Sequence, residues 1–234
     1  MIDRSLNYGR HHIENFLILA GAYATVLDIG AGRGDDLLIA RKVNPKSSLH
    51  AIEYYPEYIQ KLKAQDIDVH PINIEKDSFP FADSSIDIII MNQVLEHVKE
   101  VFWVFHEVSR VLHKGGYAII GVPNLASLHN RILLLFGKQP TSIKTCFAHI
   151  RGFTKGDIQL FLENCFPGGY KIKSFGGSNF YPFPSMIAKF LANIFPTMAW
   201  GMFFLFEKQK EYKQEFINFP TTQRLETNFY LGMF

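Results

Sequence analysis

The sequence predicts a doubly wound α/β domain on a mostly parallel sheet. Short runs of apolar and β-branched residues recur along the first half of the chain, helical stretches separate them, and the first run empties into a glycine-rich turn. Such alternation places helices on both faces of a sheet through right-handed crossovers. Ligands then bind beyond the carboxyl ends of the strands. At 234 residues the chain suits one principal core with an appendage. The expectation is a single domain over 1–234, with a core at about 20–207, a helical insertion at about 124–166 and a tail at 208–234.

Residues 25–29 (TVLDI), 49–53 (LHAIE), 68–72 (DVHPI), 86–91 (IDIIIM) and 117–122 (YAIIGV) read as buried strands, most of them bounded by Gly, Pro or charge. The clearest helix is 100–112, where Val101, Val104, Phe105, Val108, Val111 and Leu112 recur at helical spacing. Gly115 and Gly116 are expected to end it. Residues 124–166 break the rhythm with mostly helical sequence, and 170–175 and 198–206 read as two late strands. The most apolar stretch, 183–206, is interrupted by Lys189, Asn193 and Pro196, whereas a membrane span needs about 20 predominantly apolar residues. It reads as a buried helix followed by a strand, with no transmembrane segment, and peripheral membrane contact is the alternative. The polar tail ends in NFYLGMF, which is expected to fold back onto the domain.

Composition excludes several classes. Hydrophobic residues at 47% and charged residues at 20% are ordinary for a folded protein and far from the signature of disorder. A net charge of +2 without a Lys/Arg block offers no nucleic-acid surface. Cys146 and Cys165 have neither CxxC spacing nor the company that a disulfide framework or zinc site requires. No His/Cys/Asp cluster shows metal-ligand spacing, so no metal is expected. The opening MIDRSLNYGRHHIENFL lacks the basic start and apolar run of a signal peptide, which predicts a cytoplasmic location.

The strongest local signal is the run from Val26 to Asp36, VLDIGAGRGDD. Gly30, Gly32 and Gly34 let the backbone turn tightly and approach a ligand. The G-x-G-x-x-G/A spacing of a dinucleotide site would put its third small residue at position 35, which is Asp35 here. Asp28, Asp35 and Asp36 would also set carboxylates where a diphosphate needs bare N–H donors. S-adenosylmethionine carries an ammonium and a sulfonium and no phosphate, and an acidic loop suits it. Glu53 stands 19 residues after Gly34 at a strand tip, placed to accept ribose hydroxyls.

These residues resemble the class I S-adenosylmethionine-dependent methyltransferases, most closely the subgroup called type 11 or 12. VLDIGAGRGDDL is similar to the first family motif and AIEYYPEY to the second. FPFADSSIDIIIMNQVLEHVKEVFWVFHEVSRVLHKGGYAIIGVPN resembles most of the middle of the family. NLASLHNRILLLFGKQP and HIRGFT look like a branch met among glycan- and lipid-modifying members, so the likeness covers about 20–207. It implies a seven-stranded Rossmann-like sheet with a final antiparallel hairpin and a helical insertion over the active site. It also implies that Gly30, Ala31 and Gly32 line the methionine part of the cofactor, with Asp28 near its ammonium. Glu53 would then hold the ribose, with Tyr54 also at the cofactor, and Asn73 and Ile74 would lie beside the adenine, Asn73 replacing the usual acid. Asn92 and Gln93 would reach the methyl-donating end.

Methyl transfer from a sulfonium is an in-line displacement, and alignment alone can supply about 7 to 11 kcal/mol. A base is needed only where the acceptor keeps its proton, and His is the usual choice. His97, His149 and the His11–His12 pair compete for that role. His149 is preferred as base or acceptor ligand and Arg151 as a clamp for an acceptor's carboxylate or phosphate, because both lie on the insertion expected to roof the pocket. Phe147, Phe153, Tyr181 and Phe183 read as core packing, with an acceptor cage as the alternative. The expected activity is methylation, at oxygen, of a small-molecule, glycan or lipid-linked acceptor. The alternatives are a non-catalytic cofactor-binding scaffold and a nicotinamide oxidoreductase.

Overall fold

The computed structural model describes residues 9–232. Residues 1–8, with which the leader argument begins, and 233–234, at the end of the aromatic tail, lie outside the described residues. The strands are β1 (Thr25–Ile29), β2 (Ser48–Ile52), β3 (Asp68–His70), β4 (Ile86–Asn92), β5 (Leu112–Pro123), β6 (Tyr170–Ser178) and β7 (Gly201–Lys208). They form one seven-stranded sheet in the order β3-β2-β1-β4-β5-β7-β6. β7 runs antiparallel to β5 and β6, and the remaining pairs are parallel. The doubly wound sheet and its final hairpin therefore stand as expected.

Side chains on successive strand residues point to opposite faces, so a strand covered on both sides must be apolar at nearly every position. On one face Val26, Ile88, Ile90, Phe203 and Leu205 pack under α1 (Arg10–Ala20), α2 (Asp35–Val43) and α3 (Pro56–Lys63). On the other, Leu27, Ile29, Ile89, Met91 and Phe204 meet α4 (Val101–Val111), α6 (Lys155–Cys165) and α8 (Glu215–Thr222). Each fully buried Leu or Phe of these layers contributes about 1.5 to 3 kcal/mol. The tail returns to α4, where Phe229 meets Phe102 edge-on at 4.8 Å and Tyr230 meets Trp103 at 5.0 Å.

Several boundaries differ from expectation; β5 begins five residues early, at Leu112, and β6 runs on to Ser178. α4 ends at Val111, before the glycines, because Leu112 is already extended and the buried Lys208 ammonium donates to the carbonyls of Ser109 (2.6 Å) and Leu112 (2.5 Å). A cation on the last carbonyls satisfies acceptors that a helix end leaves unpaired. Gly115 and Gly116 fall instead in an irregularity of β5, where the pairing jumps from Ile86↔Leu112 to Ile88↔Tyr117. β3 stops at His70, before Pro71. The segment expected to begin β7 at 198 is a 3-10 turn, Pro196–Met198, and the strand starts at Gly201.

The buried helix expected within 183–206 is overturned. α7 (Ser185–Ile194) buries only Ala188 and Ala192, against Phe180 and Ala199. Small residues on its inner face let the helix sit close, which turns its larger side chains outward; Met186 is 83% exposed and Phe190 64%. α5 (Leu128–Leu135) behaves similarly, and Leu135 and Phe136 are exposed. Among the described residues no helix is long and apolar enough to cross a membrane.

The parallel strands and the exits from β5 and β6 share one edge of the sheet. α5 follows β5 and α7 follows β6, so both lie beyond the same carboxyl ends as the glycine loop. Asn124 pins their roots: its Nδ2 donates to the carbonyls of Thr197 (2.9 Å) and Ala199 (2.8 Å), while its own carbonyl accepts from Asn130 Nδ2 (3.0 Å).

Candidate functional site

β1 passes into the loop with Gly30 at φ 71° and Gly34 at φ 82°, a region glycine enters freely and other residues rarely do. A Cβ on Gly30 would stand 2.8 Å from Val94 Cγ2, and one on Gly34 2.7 Å from Leu62 Cδ2. The turn after β4 and helix α3 therefore depend on both positions staying bare. Glu53, just past β2 and 6% exposed, ties the loop to the next strand. Its Oε2 accepts from Gly32 N (2.8 Å), and its Oε1 from Tyr54 N (2.8 Å) and Tyr55 N (2.9 Å).

Loop, strand tip and the turn after β4 enclose a cavity of about 570 Å³. Of the cofactor residues expected from sequence, Gly30, Gly32, Glu53, Tyr54, Asn73, Ile74 and Gln93 are on its wall. Asp28, Ala31 and Asn92 stand off the wall. Asp28 lies buried beneath the loop, and burial, then the charge of Asp36, hold its carboxyl well above the usual range while Arg10 opposes them. Burial also raises Asp36, which is held by Arg10 Nε (2.8 Å) and Asn92 Nδ2 (2.8 Å). A buried carboxyl pair of this kind favours a cation or a proton nearby. Asn73, on the cavity wall, accepts from Glu75 N through its Oδ1 (3.0 Å).

Beyond β4, Gln93 adopts φ 60° with its N–H on Gly121 O (2.8 Å). A 3-10 turn, Leu95–His97, follows. His97 is on the cavity wall beside Ala148; His149 and Arg151 are not. The HIRGF segment is nonetheless fastened to this turn, since Ile150 N (2.8 Å) and Arg151 N (3.3 Å) donate to Glu96 O. Arg151 Nε and Nη2 donate to the carbonyls of Val98 (3.0 Å) and Lys99 (2.8 Å). That guanidinium staples the segment down and does not reach toward the cavity as a clamp.

The fastening brings His149 to His97, ring centroids 4.7 Å apart and edge to face. His97 Nδ1 lies 3.2 Å from Ala148 O and His149 Nδ1 2.8 Å from Ser142 O. Burial, then the neighbouring His149, lower the His97 pKa. Glu96 is 1% exposed, its Oε2 has no hydrogen-bond partner among the described residues, and burial pushes its carboxyl up to about 8, partly offset by its own N–H. His12, from the competing pair, is engaged elsewhere, its Nε2 2.8 Å from Gly177 O.

Sequence reasoning missed Tyr55 and Tyr58 on the cavity wall, although they follow Tyr54 edge to face in series at 6.2 to 6.5 Å and their spacing at the start of α3 could have shown it. Glu96 had no sequence signal beyond its place beside His97. Of the aromatics expected in the core, Phe153 packs against it. Phe147, Tyr181 and Phe183 are exposed, because the segments carrying them lie outside the two packed faces of the sheet.

A family model described as a methyltransferase domain matches residues 22–182. An arsenite methyltransferase of Halobacterium salinarum is 31% identical over 146 residues, which are 59% of this chain and 36% of that protein. The chain spans about a third of the length of the curated relatives it matches. Among solved structures, a Haloferax volcanii complex of the Trm112 methyltransferase activator with a methyltransferase aligns with TM-score 0.63 at 13% identity, covering 90% of this chain and 93% of that one. A SAM dependent methyltransferase from Aquifex aeolicus aligns with TM-score 0.57 at 17% identity, covering 88% and 93%. At these identities the structural likeness speaks for the fold.

Proposed function

We propose, from the premise that this chain belongs to the class I S-adenosylmethionine-dependent methyltransferases, that it methylates an oxygen of an amphiphilic acceptor, lipid-linked or glycan-bearing, presented at the capped edge of the sheet. The observation that carries the cofactor half is the Glu53 arrangement. A carboxylate offers about four lone-pair sites, three of them on Glu53 hold main-chain N–H groups, and Oε2 keeps one turned to the cavity for a ribose hydroxyl. The open space beside Gly32, where a Cβ would meet nothing within 4 Å, fits a ligand pressed against backbone, and the Asp28–Asp36 pair fits an ammonium close by. Once bound there, the sulfonium supplies an activated methyl group.

The chain's own part is alignment and exclusion of water. Gly32 and Glu53 hold the donor's sugar, Tyr54 and Ile74 flank it, and Asn73 offers N–H groups to a ring nitrogen of adenine where the family's acid would accept from an amino group. Gln93 and His97 face the methyl-donating end. His97 and His149 present ring nitrogens on the acceptor side, where a hydroxyl must be oriented and its proton drawn off.

The acceptor class is read from the cap. Residues 108–156 and 164–206 contain no Asp or Glu, while Arg131, Lys138, Lys144 and Lys189 lie on or beside the exposed apolar faces of α5 and α7. Apolar side chains mixed with cations and free of acids suit an amphiphile with an anionic head, at a membrane surface.

Methyl-labelled S-adenosylmethionine incubated with lipid, glycan and small-molecule fractions tests the reading, with label expected in an amphiphilic product. Binding of S-adenosylhomocysteine with no label in any fraction would leave a cofactor-binding scaffold instead.

A further inference from the structure

We infer that Glu96, His97 and His149 form a binding site for one divalent transition-metal cation on the acceptor side of the cavity. One ligand atom from each of the three lies within 4.8 Å of the others. The two rings turn Nδ1 to main-chain carbonyls, which assigns the N–H to Nδ1 and leaves a lone pair on each Nε2. Glu96 adds the unpartnered Oε2 of a side chain 1% exposed. Once the Glu96 proton is displaced, three acceptors converge here. A buried acceptor with no partner is costly to desolvate, and a cation shared with the two rings would remove that cost from Glu96 Oε2.

The surroundings resemble those of a built site. Ligating histidines commonly donate their second nitrogen to a main-chain carbonyl, which fixes ring orientation and tautomer, and both rings already do so. Two imidazoles and a carboxylate suit zinc, iron, cobalt or manganese and leave further coordination positions open. Bonds of about 2.0 to 2.2 Å would draw the three groups somewhat closer than they stand, a movement His149 can make because its loop is held chiefly through Glu96 O and the Arg151 staple. Exposed His97 gives the ion a path from solvent. A second cluster, His50, Asp68 and His70, is a weaker claimant. Its carboxylate is exposed and already stands 3.1 Å from a nitrogen of each ring.

The inference deepens the acceptor site assigned above: the open positions would face the hydroxyl to be methylated, so its oxygen would meet a cation and not a bare imidazole. It is testable without turnover. The chelator-stripped chain is titrated with Zn²⁺, Mn²⁺ and Co²⁺ separately by calorimetry, and Co²⁺ is also followed by visible absorption. One equivalent should bind, Co²⁺ should show a ligand-field band, and Glu96→Gln or His149→Ala should each weaken binding at least tenfold. His50→Ala should change nothing. No binding by any of the three ions up to millimolar concentration would overturn the site, leaving a shared proton to occupy it. Binding that survives both variants, or is lost in His50→Ala, would overturn it too. His149→Ala keeps the test open should Glu96→Gln fail to fold. S-adenosylhomocysteine affinity, measured on the same stripped chain, reports separately on the cofactor half, so either reading can fail alone.

Discussion

Glu53 and Glu96 both sit at strand exits on the same edge of the sheet, 6% and 1% exposed, and their surroundings differ sharply. Glu53 is met by three main-chain N–H groups from its own turn and the glycine loop. Glu96 turns an oxygen to no donor among the described residues, toward two rings that offer lone pairs. Burial therefore means opposite things at the two tips. The first carboxylate is satisfied by donors of its own chain and, on the reading proposed above, receives a hydroxyl; the second, on the inference above, would be completed by a cation. Backbone completes the one carboxylate, and nothing among the described residues completes the other.

Removing each carboxylate should break this contrast in different ways. The largest effect is expected from Glu53→Ala, which should weaken S-adenosylhomocysteine binding by about 1 to 3 kcal/mol, about 5- to 150-fold by calorimetry. Unchanged affinity would take Glu53 out of the site. Next, Glu53→Met and Glu96→Met in metal-free protein should move stability in opposite directions, by about 1 to 2 kcal/mol each, because one leaves main-chain donors orphaned and the other removes an orphan. Thermal melts should register this as shifts of about 2 to 4 °C per kcal/mol, and shifts of the same sign would erase the distinction. The smallest change is expected from Asn73→Asp. It restores an acceptor where the family has one, and should tighten cofactor binding by no more than about 1 kcal/mol, a hydrogen bond's usual net worth. A loss of affinity would show that the asparagine amide is itself the adenine contact.

The same contrast explains what the sequence disclosed. β1 and the glycine loop are contiguous, and Glu53 is one crossover away, so spacing sufficed to place them. Strand β4 was legible to within one residue from its apolar run. Glu96 and His149 are 53 positions apart and meet through hydrogen bonds to a single carbonyl, which leaves no periodic trace; the expectation of no metal ligands followed from that. The end of α4 was misplaced because its capping cation, Lys208, lies 97 residues beyond Val111. α7 was misread because apolar content was taken for burial, when its two alanines had already chosen the inner face.

The strand order carries a further consequence. Since β7 slots between β5 and β6, the stretches after Pro123 and after Ser178 hang from the sheet like two straps buckled at Asn124. Their length and wording can drift without disturbing any register beneath. On the proposed function, a change in the straps would alter which acceptor is admitted and leave the glycine loop and Glu53 as they stand.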